Sequence, residues 1–187
     1  MTTERGERPP AVSQDARVAR TRADVARSAF TVMTTEGTDA VTHARVAELA
    51  GYSKTTLYAH WPGRVDLITV ALDALGELPH HERTGDLRAD IIGELQNFRT
   101  AVIEFKLDPV LAGMAQWASV DEMRKLRDKI NGEGQRPLRT MLEERYTGVE
   151  LEAAVSMLSG VVACPAIMFG TLPEDDAIAA AVDIVLR

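Results

Sequence analysis

The fold of the amino-terminal part of the chain is decided by residues 42–61, which read Thr42-His-Ala-Arg-Val-Ala-Glu-Leu-Ala-Gly51-Tyr-Ser53-Lys-Thr-Thr-Leu-Tyr-Ala-His-Trp61. Apolar residues recur at helical spacing before Gly51, which supplies the backbone freedom of a tight turn, and Ser53 is suited to cap a second helix. The outer side of that helix carries lysine, hydroxyl and imidazole groups, which donate to phosphate oxygens and base edges. The stretch therefore predicts a helix-turn-helix.

This stretch resembles the tetracycline-repressor (TetR) family of one-component transcription regulators. The family motif runs roughly as Thr, a helix, Ala-Gly, an apolar residue, Ser, a few variable residues, Leu-Tyr, any residue and His-Phe. The chain matches this motif at Gly51, Ser53, Leu57, Tyr58 and His60, with Trp61 in the usual place of Phe.

The resemblance extends past the motif. Pro62-Gly63-Arg64-Val65-Asp66-Leu67 is similar to the start of the family's fourth helix, with Arg64 at the usual lysine position. Two residues depart from the pattern, because Val65 stands where an acidic residue is common and Tyr52 replaces a smaller apolar residue. The resemblance covers roughly residues 20–70 and implies a DNA-binding head followed by a helical body that binds an inducer and dimerises.

Chemistry and the resemblance together assign roles within the motif. We expect Thr42 to cap the first motif helix and to meet a phosphate, and residues 54–56 to read base edges. Tyr58 and His60 are expected to donate to phosphates, and Arg64 to hold a further phosphate at the start of the next helix. The candidate DNA-binding residues are Thr42, His43, Arg45, Lys54, Thr55, Thr56, Tyr58, His60 and Arg64.

Charge is divided unevenly along the 187 residues, whose formal net charge is −7. Residues 1–66 hold nine Lys or Arg and eight Asp or Glu, giving +1, whereas residues 67–187 hold twelve and twenty, giving −8. A near-neutral head can still present a basic face to DNA, and an acidic body is repelled from phosphate, which favours one orientation on the duplex.

The cysteine content and the amino terminus indicate the compartment. Cys164 is the single cysteine, so an intramolecular disulfide is excluded and a reducing compartment is favoured. Residues 1–10 lack the apolar core of a signal peptide, and we expect a cytoplasmic protein. Because the neighbours of Cys164 are apolar, we also expect its thiol to lie inert in the core.

The pattern of apolar residues predicts an all-α fold of about nine helices, with an amino-terminal three-helix head and a larger helical body. Gly132, Gly134 and Pro137 interrupt the helical pattern of the body, and the sequence leaves open whether residues 131–137 form a kink or a loop. The predicted divisions are a disordered tail at 1–16, the DNA-binding head with its connecting helix at 17–79, a hinge at 80–85, and a ligand-binding and dimerisation body at 86–187.

Residues 153–173 carry no charged side chain across 21 positions, which by length alone would suffice for a membrane span. Acidic residues flank this run and basic anchors are missing, so we expect no membrane partner. A helix that is apolar all round is otherwise buried on every side, and a second copy of the chain is the simplest cover. We therefore expect a homodimer through residues about 150–187 that binds an inverted repeat in double-stranded DNA.

The body also contains aromatic and methionine side chains that suit a cavity for a small hydrophobic effector, although each could equally be plain core. The resemblance implies that such a ligand spreads the two heads and releases DNA, and it favours a repressor. The candidate ligand-binding residues are Phe98, Val102, Phe105, Met114, Trp117, Met141 and Met168.

Other classes of function find less support in the sequence. His80 and His81 are adjacent, but no third ligand follows at a metal-binding spacing, so we expect no metal site. Glycine-rich phosphate loops and nucleophile motifs are absent, and we expect neither a cofactor nor catalysis. A helical adaptor that binds another protein and no DNA remains the alternative.

Overall fold

The computed structural model describes residues 14–74, 79–116 and 121–187. This part of the chain forms nine α-helices and one 3-10 helix, and it contains no strand. The predicted all-α fold with an amino-terminal helix-turn-helix is therefore confirmed. The helices are α1 (Gln14–Glu36), the 3-10 helix (Thr38–Ala40), α2 (His43–Ala50), α3 (Lys54–His60), α4 (Arg64–Asp73), α5 (Leu87–Glu104), α6 (Asp108–Gln116), α7 (Asp121–Leu142), α8 (Gly148–Phe169) and α9 (Asp175–Val185).

The head is built around α1, which packs on α2, α4 and the 3-10 helix. Val25, Ala29 and Met33 of α1 are fully buried, as are Leu67 and Ile68 of α4. These residues recur at helical spacing on each helix, so a single apolar stripe of α1 faces the rest of the head. The same buried cluster continues into the body, which means that head and body share one core.

The body is organised by α5, which packs on α7, α8 and α9. The open question about residues 131–137 is answered by α7, which is one continuous helix with Pro137 inside it. A proline inside a helix removes one hydrogen bond and weakens the helix locally. Burial of Leu138, Met141 and Leu142 directly after it anchors the end of α7 to the core and offsets that weakness.

The segment between α4 and α5 is hydrogen-bonded to the first turns of α5. Asp90 is fully buried and accepts hydrogen bonds from Thr84 N (2.8 Å), Thr84 Oγ1 (2.7 Å) and Gly85 N (3.1 Å). These bonds, led by that from the Thr84 backbone, lower the pKa of Asp90 to about 2. One turn later, Glu94 accepts from His81 N (2.9 Å). The hinge predicted at 80–85 is thus tethered to the body, and its role as a hinge remains a prediction.

Helix α6 lies between the head and the body, because it contacts α1 and the 3-10 helix on one side and α8 on the other. The contact with the head is close at Gly113. A Cβ atom built at Gly113 would lie 2.7 Å from Thr38 Cγ2 and nearer still to Thr38 Oγ1. Thr38 itself is 6% exposed. The head therefore packs directly on the backbone of α6.

This contact predicts that Gly113→Ala destabilises the protein by about 1–3 kcal/mol, because the added methyl group overpacks an interface in which Thr38 is buried and must shift. Urea denaturation followed by circular dichroism measures the change. The matched control is Gly132→Ala, at an exposed position of α7 where an added Cβ meets nothing within 4 Å. That change should stabilise by about 0.5–1 kcal/mol through helix propensity. Equal effects of the two substitutions would contradict the close packing at Gly113.

The buried carboxylate of Asp90 makes the stability of the folded protein depend on pH in a known direction. The folded pKa of about 2 lies below the ordinary value of 3.8, so the stability due to ionised Asp90 is fully present above about pH 4 and is lost as the pH falls towards 2. We expect Asp90→Asn to be less stable than the parent near neutral pH. The difference should then shrink as the pH falls below about 4. Urea denaturation of both proteins between about pH 7 and pH 3 tests this, and a difference independent of pH would contradict it.

Candidate DNA-binding surface and ligand cavity

The turn between α2 and α3 is fixed by three local features. Thr42 Oγ1 accepts a hydrogen bond from Arg45 N (3.2 Å) at the start of α2, as the sequence predicts. Gly51 ends α2 in the left-handed region with φ of 74°, which strongly favours glycine. Ser53 Oγ then accepts from Thr56 N (3.1 Å) and caps α3. The predicted caps of both helices are confirmed.

Contacts from the inner side of α3 fix its orientation. Leu57 is fully buried, and Trp61, directly after the helix, is 7% exposed. His43 of α2 is buried and donates from Nε2 to the Trp61 carbonyl oxygen (2.6 Å). The ring of His43 also stacks on Tyr58, with centroids 3.9 Å apart and planes inclined by 12°. His43 therefore packs α2 against α3 and does not present its ring to solvent.

The outer side of α3 presents the polar side chains that the sequence singles out. Lys54, Thr55 and His60 are exposed. Tyr58 is 53% exposed although one face of its ring covers His43, so its hydroxyl edge remains available. Thr56 is half-buried, and its hydroxyl lies 2.8 Å from Ser53 Oγ. Of the predicted readers, Lys54 and Thr55 are thus exposed, and by helical spacing both share a side of α3 with Tyr58.

Two of the predicted basic contacts already have partners within the head. Arg45 binds Glu36 (2.8 Å) and Glu48 (3.0 Å), and these carboxylates raise the pKa of Arg45, while Arg45 lowers the pKa of Glu36. Arg64 donates to the Thr38 carbonyl oxygen (2.7 Å) and to Asp39 (2.8 Å). Within the described ranges, Lys54 forms no ion pair. Of Arg45, Lys54 and Arg64, Lys54 is therefore the cation most available to bind DNA.

The body contains a cavity of about 220 Å³ between α5, α6, α7 and α8, with Leu72 of α4 also in its wall. Phe98 and Met114, both predicted to bind a ligand, line it. Its apolar lining is completed by Pro79, Leu95, Ala101, Leu107, Val110, Leu111, Ile130, Leu138 and Ala163.

The remaining predicted ligand-binding residues lie elsewhere. Val102 and Met141 are each 3% exposed in the core and do not line the cavity, because successive residues of a helix are rotated by about 100° from one another. Phe105 is half-buried against the core, and Met168 is 69% exposed. Trp117 lies outside the described residues. Helical periodicity identified apolar positions but could not separate core, cavity and surface.

The polar part of the cavity was not predicted from the sequence. His80, Glu94, Asn97, Asn131, Gln135 and Ser159 also line it. Glu94 is 7% exposed, and its Oε1 lies 2.8 Å from His80 Nδ1. A signal existed in the sequence, because Asp90 and Glu94 are four residues apart within the amphipathic pattern of α5. Acidic residues at that spacing share a helix face, and here the face meets the donors of the preceding segment.

Helices α8 and α9 expose apolar side chains. Met157, Met168, Phe169 and Ile184 are 53%, 69%, 72% and 56% exposed. Cys164 is also exposed, so its predicted place in the core is wrong. The error arose because apolar neighbours in sequence do not reveal which side of a helix is covered by the same chain. Among the described helices, α8 is also the one whose length and mean hydropathy of 1.7 would suffice to cross a membrane, which by itself is weak evidence for a span.

Comparisons with known proteins agree on the amino-terminal region. The family model described as bacterial regulatory proteins, tetR family, matches residues 24–71, which include α2, α3 and most of α4. An uncharacterised HTH-type transcriptional regulator of Mycobacterium tuberculosis strain H37Rv is 25% identical over 168 residues, or 80% of this chain and 78% of that protein. A regulator of Mycobacterium bovis matches to the same extent.

Solved structures extend the similarity to the body. The TetR family transcription regulator SCO0332 has 26% identity and a TM-score of 0.64, covering 89% of this chain and 97% of its own. A transcriptional regulator from Rhodococcus sp. RHA1 has 20% identity and a TM-score of 0.69, covering 88% and 93%. The Flavonoid-responsive Regulator FrrA has 19% identity and a TM-score of 0.60, covering 90% and 94%. Together with the helix-turn-helix described above, these similarities identify residues 24–71 as a DNA-binding region of the tetR family and support a TetR family transcriptional regulator.

Proposed function

We propose that this regulator is a cytoplasmic repressor that binds an inverted-repeat operator as a homodimer and leaves it when a small hydrophobic effector enters the cavity. The observation that carries the proposal is the exposure of Lys54, Thr55 and Tyr58 on a helix whose inner side is anchored by Leu57. The proposal divides the chain as the sequence suggests, into a reading head up to residue 79, a hinge at 80–85 and an effector and dimer body after it.

The proposed interface with DNA follows from the exposed groups. Lys54 and Thr55 face the major groove as base readers, with Thr56 at the edge of that set. Tyr58 and His60 donate to phosphates, as do Thr42 and Arg64 at the starts of α2 and α4. Because His43 packs against Trp61 and Arg45 is bound to two carboxylates, we assign these two residues to the support of the interface.

The proposed dimer interface is the exposed apolar face of α8 and α9. Met157, Gly160, Cys164 and Met168 recur along α8 at steps of three or four residues, so they share one stripe. An apolar stripe of this length on a soluble regulator marks a contact with another protein surface. A second copy related by a twofold axis presents the same stripe, and two helices from each copy then form a four-helix interface.

The proposed effector site is the cavity between α5 and α8. Its mostly apolar wall with a few polar groups is typical of a small-molecule site. By its name, the Flavonoid-responsive Regulator FrrA responds to flavonoids, and it is similar to this chain in fold. In this chain, a ligand that favours one separation of the two heads shifts the population of the dimer away from the DNA-binding form. This scheme requires no catalytic step.

Selection of bound fragments from random double-stranded DNA tests the proposal. We expect a recovered inverted repeat whose half-sites lie about one helical turn apart, roughly 34–36 Å, or further along the duplex. Retardation of that fragment in gels should weaken steeply with added salt, because phosphate contacts release counterions. The rival function as a protein-binding adaptor predicts that no fragment is enriched and that no retardation occurs at any salt concentration.

On the selected operator, we expect Lys54→Ala to weaken binding by about 1–3 kcal/mol if Lys54 donates to a guanine. The loss should be concentrated on one base pair, so the variant should tolerate changes at that position that the parent rejects. Fluorescence anisotropy with single-base operator variants measures both effects. An equal loss of affinity on every sequence would instead make Lys54 a phosphate contact.

Tyr58→Phe is the matched comparison for a phosphate contact. The substitution keeps the ring that stacks on His43, so the stability of the head should be unchanged. We expect a loss of about 0.5–1.5 kcal/mol on all sequences alike, the value of one hydrogen bond. Unchanged affinity would remove Tyr58 from the interface and leave it only its packing role.

A further inference from the structure

We propose that the cavity selects a hydrophobic cation, an apolar molecule that ends in an ammonium group, and that Glu94 is the residue that selects it. This inference rests on the proposed function, because it names the chemical class of effector for the same cavity. It concerns the binding of the ligand itself and can be tested on the protein without DNA.

The first support is the charge of the lining. Glu94 is the only Asp, Glu, Lys or Arg among the described residues that line the cavity. It is 7% exposed, so its carboxylate is largely removed from water. An anionic ligand would enter beside this carboxylate and would find no lysine or arginine in the described lining. A cationic ligand would offer the buried carboxylate a charged partner.

The second support is the way in which Glu94 is bonded. Its Oε2 accepts from the backbone N–H of His81 (2.9 Å), a bond that depends on the chain path. Its Oε1 lies 2.8 Å from His80 Nδ1, and the His80 side chain is 47% exposed. His80 can therefore rotate into solvent and leave Oε1 to a ligand, while the bond to His81 keeps the carboxylate in place.

The third support is that no other described acid competes for the ligand. Asp90, the nearest buried carboxylate on α5, is saturated by Thr84 and Gly85 and also lies 3.3 Å from His81 Nε2. It does not line the cavity. The ring of Phe98 does line it, and an aromatic face adds attraction for an ammonium group in a desolvated site.

The same geometry connects ligand chemistry to the head. His80 belongs to the segment that joins α4 to α5, and Leu72 near the end of α4 lines the same cavity. A ligand that takes the place of His80 on Glu94 removes one bond that holds this segment on α5. The other end of α4 carries Arg64, which follows the reading helix. Binding of the effector and release of this segment from α5 would then occur together.

Three probes with the same carbon skeleton test the proposal, namely 4-phenylbutylamine, 4-phenylbutanol and 4-phenylbutyrate. Each is titrated calorimetrically into the full-length protein near neutral pH without DNA. We expect the amine to bind at least about tenfold more tightly than the alcohol, and the carboxylate most weakly, because charge-assisted hydrogen bonds are roughly twice as strong as neutral ones. An alcohol as tight as the amine, a preference for the carboxylate, or no binding by any probe overturns the proposal.

Two variants assign the preference to Glu94. Glu94→Gln keeps an oxygen for the His81 N–H but removes the charge, and the preference for amine over alcohol should fall to about twofold or less. Glu82→Gln is the matched control, because Glu82 lies in the same segment, is exposed and does not line the cavity. The control should keep the full preference. A preference that survives in Glu94→Gln overturns the proposal.

His80→Ala supplies an independent measurement should Glu94→Gln fail to fold. Removing the side chain that competes for Oε1 should tighten binding of the amine about threefold or more and leave the alcohol unchanged, because only the amine needs that oxygen. A loss of amine affinity in this variant contradicts the displacement of His80. Failure of the proposed function has a different signature, since the parent protein would then bind no selected operator whatever its preference among the probes.

Discussion

The surface of α3 that is proposed to bind DNA depends on the burial of the other side of this helix, which is too short to be stable alone. Helix α3 has seven residues, and isolated helices of that length are not stable in water. Its conformation is maintained by the Ser53 cap, by fully buried Leu57 and by the hydrogen bond between His43 and the Trp61 carbonyl. The groups proposed to touch DNA therefore have a defined position only while the head core is intact. Substitutions in that core should abolish DNA binding without touching DNA.

The head core is in turn joined to the body through Thr38. Its side chain packs on the backbone of α6 at Gly113, and its carbonyl oxygen accepts from Arg64 at the start of α4. Met114, the next residue of α6, lines the cavity. Closely packed interfaces of this kind do not deform continuously but shift between discrete arrangements. A displacement of α6 by a bound molecule would thus be passed to the helix that follows the reading helix.

The sequence predicted those parts of the molecule whose signals are local. Caps at Thr42 and Ser53 and the turn at Gly51 depend on residues within a few positions, so the two motif helices and their turn were predicted, whereas the inward place of His43 was not. The body depends on which helix faces which, and periodicity carries no such information. Val102 proved to be core and Met168 surface although both are apolar, while the acids of α5 became visible as tethers only when the preceding segment folded onto them. The same limit applies to α7. Pro137 suggested a kink or a loop, but the helix is continuous because the residues after Pro137 are buried in the core.

The position of the cavity has a consequence for the proposed dimer. The separation of the two heads would be set by a path that starts at the α8 and α9 interface, passes to α5 by direct packing, and reaches α4 through the segment tethered by Asp90 and Glu94. The cavity lies between α5, α6, α7 and α8, and it shares Glu94 with the tether. A ligand in the cavity would therefore affect both the packing of α5 and the hydrogen bonds of the segment between α4 and α5. Movement at the cavity would then be passed to the heads through α4, which packs on α1 within each head.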